Sequence, residues 1–240
     1  MGKKLAVLLI LLLMGSTVWA ALDPAIEDLL GKIKSNQSQI KDMSADILTI
    51  MKSGGKQMEQ KGKIWIKGDN KSRMESSTPV NTVTVVNGDK RLLINQDTGE
   101  RLVQDMKKLR EKTGEMDFGN SPTDQTKALE YFNLKLREET TASGKNYIIE
   151  GTPKKPNIML GKVVFEIEGA RNLPVKISIY NPKGALVSSS TIEYQKIKNI
   201  WVIKGNTAMV KTPQGSMNLV MRFNNVKIND GISDDQFKVD

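Results

Sequence analysis

The sequence contains no cysteine and no histidine. Without histidine, the commonest general base and the commonest metal ligand are both missing, and a Ser-His-Asp triad is excluded. Without cysteine there are no thiol nucleophiles, thiolate zinc sites, disulfides or a lipid-modified N-terminal cysteine. We therefore predict a protein that is not an enzyme, with no catalytic residues, no metal site and no cofactor.

Acidic residues are the remaining candidates for catalytic groups, but their positions give little support for such a role. The adjacent pairs Glu138-Glu139 and Asp234-Asp235 would point to opposite faces of a strand and could not share a substrate. A glycosidase-type carboxylate pair from distant strands stays open as an alternative. However, aromatic residues make up only 5% of the chain, which leaves little surface for stacking sugars. No phosphate-binding loop is present, since Gly55 and Gly62 lack the required spacing and a following helix.

The N-terminus has the pattern of a secretory signal peptide. Lys3 and Lys4 precede an unbroken apolar run over residues 5–14, and Val18-Trp19-Ala20 offers small residues before a cleavage point. The apolar run is short against the roughly 20 residues that a membrane span needs, although an uncleaved anchor is the alternative. We predict a signal peptide at 1–20, cleavage near Ala20 and a mature periplasmic protein.

The chain is basic, with a formal net charge of +9 that falls to +7 (9 − 2) without the two signal-peptide lysines. The basic residues are scattered along the sequence. They either keep a β-rich protein soluble or attract anionic lipid headgroups. A nucleic-acid partner is not expected, because no platform of aromatic and basic residues is present.

Residues 56–96 organise the rest of the chain and predict three or four consecutive antiparallel strands. In the first strand, Ile64 and Ile66 alternate with Lys63 and Lys67, which indicates one apolar and one polar face. Asn87-Gly88 is a strong hairpin signal between two apolar runs.

Three short motifs in this sequence resemble the periplasmic lipoprotein carriers of the LolA/LolB type. They are Ile-Trp-Ile-Lys at 64–67, Val-Val-Asn-Gly-Asp at 85–89, and Ser-Asp-Asp-Gln-Phe at 233–237. The resemblance covers most of the chain after residue 21. It implies an open antiparallel half-barrel, with helices that cover the concave face and close an apolar cavity for acyl chains.

Outside the organising stretch, the pattern predicts two helices and further strands. Asp23 as N-cap and Pro24 start a helix over residues 24–35, and Ser121 with Pro122 start a second helix over 122–132. Residues 105–120 have no regular pattern, and from 134 onward nearly everything alternates as in strands. We predict a single α+β, mainly β, domain over 21–240, in which the second helix acts as a lid.

Apolar residues on one face of the sheet, together with the lid, are the predicted lipid-binding residues. Five of the twelve methionines fall in predicted strands, and methionine adapts to varied apolar ligands. By alternation, Trp65 falls on the opposite face. The predicted lipid-binding residues are Met58, Ile64, Ile66, Met74, Val83, Val85, Leu129, Phe132, Phe165, Ile177 and Leu219.

The chain departs from the carriers at one motif. Carriers that accept lipoprotein acyl chains have Arg-Pro directly after the Trp-hydrophobic-Lys segment, whereas this chain has Gly68-Asp69 there. Arg73, a few residues further on, is the candidate for the missing gating arginine.

Together, these features predict a monomeric periplasmic carrier that binds acyl chains of lipoproteins or free lipids without covalent chemistry. The resemblance further implies an inner-membrane exporter and an outer-membrane acceptor as partners. The alternative is a non-catalytic envelope scaffold or sensor subunit that binds protein partners through its sheet.

Overall fold

A computed structural model describes residues 23–113, 127–141, 144–155, 157, 160–212 and 215–239. The predicted signal peptide lies outside these residues. The described part forms one antiparallel sheet, two α-helices and two short 3-10 helices. The helices are α1 (Pro24–Ser38) and α2 (Met106–Thr113), and the 3-10 helices are Lys127–Tyr131 and Asp234–Phe237. The strands are β1 (Asp42–Ser53), β2 (Lys56–Lys67), β3 (Lys71–Thr78), β4 (Thr82–Asn87), β5 (Lys90–Asn95), β6 (Arg101–Asp105), β7 (Phe132–Thr141), β8 (Gly144–Pro153), β9 (Lys162–Glu168), β10 (Leu173–Tyr180), β11 (Leu186–Ile197), β12 (Ile200–Thr212) and β13 (Gly215–Ile228).

The sheet consists of two meanders joined by one long-range strand pair. Its strand order is β6-β5-β4-β3-β2-β1-β13-β12-β11-β10-β9-β8-β7. Every neighbour is therefore consecutive in sequence except β1 and β13, and β6 and β7 are the outer strands. The predicted open antiparallel architecture is confirmed. Among the described helices, none is long and apolar enough to cross a membrane.

The organising stretch folds as predicted, into β2 to β5. Asn87 ends β4 and Gly88 occupies the turn with a φ of +60°, a left-handed conformation that glycine adopts without steric cost. The backbone N–H of Gly88 also donates to the carbonyl of Asn70 at 2.9 Å. The turn is thus tied to the turn between β2 and β3, and the bond extends the β3–β4 ladder beyond the pair Lys71 and Asn87.

Helix α1 starts where the capping residues predict. The Asp23 carboxylate accepts a hydrogen bond from the Ala25 backbone N–H at 2.9 Å, and Pro24 occupies the first turn. Ile26, Leu29 and Ile33 are buried at helical spacing. Leu29 and Ile33 pack against residues of β7, β8 and β9, so α1 lies across that half of the sheet.

The second predicted helix differs from the structure at its C-terminal end. Residues 127–131 form a 3-10 helix, and Phe132 already belongs to β7, where it pairs with Pro153. Residues 122–126 lie outside the described part. Residues 106–113, predicted to be irregular, form α2. The prediction that helices cover the concave face is therefore not confirmed, and α1 packs only against part of the sheet.

The strand register defines two faces. Residues directly opposite each other in an antiparallel ladder point to the same side. One row of such pairs crosses nine strands and includes Ile149 and Phe165, which pack under α1; we call this side the inner face. The row consists of Leu136, Ile149, Phe165, Ile177, Ser190, Ala208, Leu219, Met51 and Met58.

The opposite side, here called the outer face, carries its own apolar cluster. A row of direct pairs places Trp65, Arg73, Val85 and Leu92 on this side. The location of Trp65 opposite Ile64 is as predicted. Val83, two residues before Val85 in β4, lies on the outer face as well. The prediction that Val83 and Val85 share a face with Ile64 is therefore wrong.

The C-terminal segment explains why the outer face is apolar. The side chains of Ile232, Phe237 and Val239 pack onto the outer-face cluster, and Phe237 is fully buried. The Asn87 side-chain amide donates to the Phe237 carbonyl at 3.1 Å. Asp234 accepts from Lys71 at 3.0 Å, and the adjacent lysines hold the pKa of this carboxyl below its ordinary value.

Candidate functional site

The described structure contains an apolar cavity between the C-terminal end of α1 and the inner face. Its volume is about 50 Å³. Residues from the helix end, from β1 and β2, and from β10 to β13 line it. They are Asn36, Gln37, Ile40, Met43, Ile64, Ile66, Leu173, Tyr194, Trp201, Val202, Ile203 and Phe223.

Two features of the strands bring these side chains together. Met43 and Ile66 are direct partners on β1 and β2, and both pack with Val202. The pairing of β11 and β12 shifts so that Tyr194 opposes Ile203 while Glu193 opposes Gly205. Such a bulge turns the side chains that follow it and bends the strand. The floor of the cavity therefore combines residues that are far apart in sequence.

The polar atoms near the cavity are few. The Tyr194 hydroxyl donates to the Pro174 carbonyl at 2.7 Å, and burial raises the pKa of this phenol far above its ordinary value, so it stays neutral. The side-chain oxygen Oε1 of Gln37 is buried and accepts no hydrogen bond from the described residues. A ligand with a hydrogen-bond donor would find an acceptor at this point.

A small polar cluster connects α1 to the sheet at the edge of the cavity. The Asn36 side-chain amide donates to the Arg171 carbonyl at 3.0 Å. The Arg171 guanidinium forms an ion pair with Glu168 and lies 4.7 Å from the centroid of the Trp201 ring. These contacts must separate if the end of α1 moves away from the sheet.

The cavity is much smaller than the pockets in which proteins bind small molecules. Pockets that hold small molecules are commonly about 300–1,000 Å³. A cavity of about 50 Å³ is far below this range. The space between α1 and the inner face is therefore too small for a ligand of that size in this structure.

Some of the predicted lipid-binding residues belong to this site. Ile64 and Ile66 line the cavity, and Phe165 and Ile177 are part of the core cluster under α1. Other predicted residues lie on the inner face but outside the cavity. These are Leu219, which is half-buried, and Met58 and Met74, which are 46% and 39% exposed.

The predicted lid residues are packed rather than suspended over a gap. Leu129 and Phe132 are buried in one cluster with Leu29, Ile33 and Ile149. Neither residue lines the cavity. The expectation that they face a space is therefore wrong, because the start of β7 brings them directly under α1.

The suggested gating role of Arg73 is also not supported. Arg73 pairs with Trp65 and Val85 on the outer face, whereas α1 lies on the inner face. Its guanidinium donates to Glu75 at 2.6 Å and to the Gln236 carbonyl at 3.4 Å. Arg73 thus holds the C-terminal segment and cannot reach α1.

Replacing Leu129 by alanine is expected to cost about 2–5 kcal/mol of stability, because a buried side chain leaves a hole in a packed cluster. Equilibrium unfolding in urea measures the loss. The matched control is Leu102→Ala on β6, where leucine is 52% exposed and the change should be nearly neutral. Equal losses at the two positions would contradict the packed arrangement.

The sequence reasoning missed most of the residues that line the cavity. Tyr194, Trp201 and Phe223 contribute ring surface to it. The sequence feature that could have singled them out is the small number of aromatic residues, since the chain has only three tryptophans, four tyrosines and five phenylalanines. The bulge at Lys204 of β12, which shifts the pairing with Tyr194, leaves no clear trace in the sequence.

Comparisons with solved structures agree on the fold. A DUF1329 family protein from Desulfovibrio piger superposes with a TM-score of 0.69 at 18% identity, covering 89% of this chain and 96% of that one. A putative outer membrane lipoprotein-sorting protein domain from Vibrio parahaemolyticus gives 0.66 at 16% identity, covering 88% and 97%. A LolA superfamily protein from Nitrosomonas europaea gives 0.64 at 14% identity, covering 88% and 96%.

The sequence comparisons place the chain in a family. No curated protein matches the sequence. One family model, described as "Uncharacterized protein", matches residues 100–240, which is more than half of the chain. This span contains β6, α2, β7 to β13 and the C-terminal segment. The chain therefore belongs to that family, and its fold is similar to that of the three solved structures named above.

Proposed function

We propose that this protein is a non-enzymatic periplasmic carrier that binds acyl chains of lipoproteins or free lipids and shuttles them towards the outer membrane. The observation that carries the proposal is the apolar cavity between the end of α1 and the inner face. The shared fold supports it, because one structural neighbour is named as a lipoprotein-sorting domain.

The energetics fit a reversible carrier. Moving α1 away exposes Ile26, Leu29 and Ile33, at a cost of about 1.5–3 kcal/mol for each side chain. Each buried methylene of an acyl chain contributes about 0.8 kcal/mol, so a chain of about 16 carbons gains on the order of 10 kcal/mol. The summed cost of about 4.5–9 kcal/mol offsets roughly half or more of this gain. Cargo can therefore be bound and also released.

The proposed partners follow from this role. An inner-membrane exporter would deliver the cargo and an outer-membrane acceptor would receive it, with the carrier acting as a monomer. Loading would separate Asn36 from the Arg171 carbonyl, since that bond joins α1 to the turn after β9. Gln37 would then be free to accept a hydrogen bond from a polar group of the cargo.

The test enlarges one residue of the cavity wall. Ile64→Phe adds volume to a half-buried residue that lines the cavity. We expect the affinity for a fluorescent fatty acid to fall about tenfold or more, because each 1.4 kcal/mol of lost binding energy is a factor of ten and overpacking costs about 1–3 kcal/mol.

The matched control is Ile94→Phe, the same substitution at a half-buried residue of the outer-face cluster. This variant should bind the probe like the unmodified protein. Circular dichroism verifies that both variants are folded. If the unmodified protein fails to bind the probe, the carrier proposal is wrong and a scaffold role is favoured.

A further inference from the structure

One end of the sheet carries a cluster of lysines that alternation along the chain does not reveal. In an antiparallel meander, every second turn falls at the same end. The register places the turns β1–β2, β12–β13 and β10–β11 and the connection β8–β9 together at one end. The pairs that show this are Ser53 with Met217, Val210 with Ser188, Tyr180 with Lys162, and Val163 with Gly151.

These four connections contain six lysines and no acidic residue. The segments are 52–57, 211–216, 181–185 and 154–161. The lysines are Lys52, Lys56, Lys154, Lys155, Lys183 and Lys211, and each is exposed. None of the six forms an ion pair within the described part of the chain, where the ion pairs involve other lysines and arginines. We call these six residues the basic end.

Two exposed acidic residues lie near the basic end: Glu59, three residues after Lys56 on β2, and Glu130, directly before Tyr131. The turn β5–β6 also points this way and carries Asp97 and Glu100. However, β2 extends beyond its neighbour, because the last residue of β3, Thr78, pairs with Lys61 and not with the start of β2. At about 3.3 Å per residue, the tip of the β1–β2 hairpin stands roughly 15 Å further out. The four connections of the basic end therefore carry only positive charges, with Glu59 and Glu130 at their border.

Apolar side chains are exposed beside the lysines. Met58, just after the β1–β2 turn, is 46% exposed, and Tyr131, directly before β7, is 36% exposed. Methionine adapts to irregular apolar surroundings, and tyrosine is enriched where one end of a side chain is apolar and the other is wet. Lysines with interspersed apolar side chains match a surface of anionic headgroups over acyl chains.

We propose that the basic end docks onto the surface of a membrane that contains anionic phospholipids. The lysines provide electrostatic attraction to the headgroups, and Met58 and Tyr131 enter the boundary with the acyl chains. This docking does not depend on the cargo or on opening of the cavity. It would orient the sheet with its strands steeply inclined to the bilayer and with the α1 cavity at the far end from the membrane.

The test is sedimentation with vesicles, using the full-length mature protein. Vesicles of phosphatidylglycerol and phosphatidylcholine are compared with vesicles of phosphatidylcholine alone. The unmodified protein should bind the anionic vesicles, and salt should weaken the binding because it screens the charges. Each lysine near such a surface increases the affinity for the membrane about fivefold. The triple variant K52Q/K56Q/K211Q should therefore bind the anionic vesicles about 100-fold more weakly.

The matched control removes the same charge from exposed lysines at the other end of the sheet. This variant is K41Q/K90Q/K227Q, and it should keep most of the binding. Equal losses in the two triple variants would overturn the proposal, since net charge alone would then explain the effect. Equal binding of the unmodified protein to both kinds of vesicle, or no binding to either, would also overturn it. The fatty-acid probe should bind both triple variants normally, which separates this test from that of the carrier role.

Discussion

Replacing Phe237 by alanine is expected to lower the free energy of unfolding by about 3–5 kcal/mol, the range for removing a buried phenylalanine side chain. Phe237 has no exposed surface and packs with Val83, Val85 and Leu92 on the outer face. Without the ring, the C-terminal segment keeps its polar contacts but loses the apolar contact that holds it against the outer face. Since a domain has only about 5–15 kcal/mol of stability, this is a large fraction.

Unfolding in urea, followed by circular dichroism, measures the change. The matched control is Tyr131→Ala, because this aromatic ring is 36% exposed and its loss should have a much smaller effect. Phe237→Leu keeps most of the apolar volume and provides an intermediate value if the alanine variant does not fold. A loss below about 1 kcal/mol for Phe237→Ala would show that the C-terminal segment is not part of the core.

Replacing Gly62 by alanine is expected to cost about 3 kcal/mol or more, at or above the upper end for overpacking. A β-carbon at this position would lie 2.1 Å from the backbone oxygen of Glu75 and 3.1 Å from its carbonyl carbon. The register between β2 and β3 shifts at Lys61 and Gly62, so the two backbones approach closely here. Backbone atoms cannot rotate away as a side chain can, and the hairpin would have to distort.

Gly31→Ala is the control of opposite sign. Gly31 lies within α1, and a β-carbon there has no neighbour within 4 Å. Alanine should therefore stabilise the helix by about 0.5–1 kcal/mol. Thermal unfolding of both variants separates the effects, with a lower melting temperature for Gly62→Ala and a higher one for Gly31→Ala. A melting temperature for Gly62→Ala equal to that of the unmodified protein would refute the close approach.

Local signals in the sequence predicted the elements well. The capping pair Asp23 and Pro24 located the start of α1, and Asn87-Gly88 located the β4–β5 turn. These predictions hold because they depend on contacts between residues close in sequence. The open antiparallel sheet followed from the succession of short reversals together with the resemblance to the carriers.

Assignment of faces was less successful because it depends on distant residues. Val83 and Val85 alternate like Ile64 and Ile66. However, the strand pairing places the two valines on the same face as Trp65, which is the face that Ile64 does not share. An apolar outer face makes sense only once the C-terminal segment covers it. Likewise, the cavity forms where the end of α1 contacts β10 to β13, which are far from it in sequence. The periodicity of the sequence does not predict contacts between such distant elements.

The topology of the sheet also has a consequence for folding. All strand pairs except one form between consecutive strands, and the exception joins β1 to β13, pairing Met43 with Ile228. Consecutive pairs close short loops, whereas this pair must bring together nearly the whole chain, and loop closure of that kind is slow. Until it forms, β1 and β13 are unpaired edges, and such edges can associate with other chains. The seam between the two meanders is therefore where a newly synthesised molecule would be most vulnerable to aggregation.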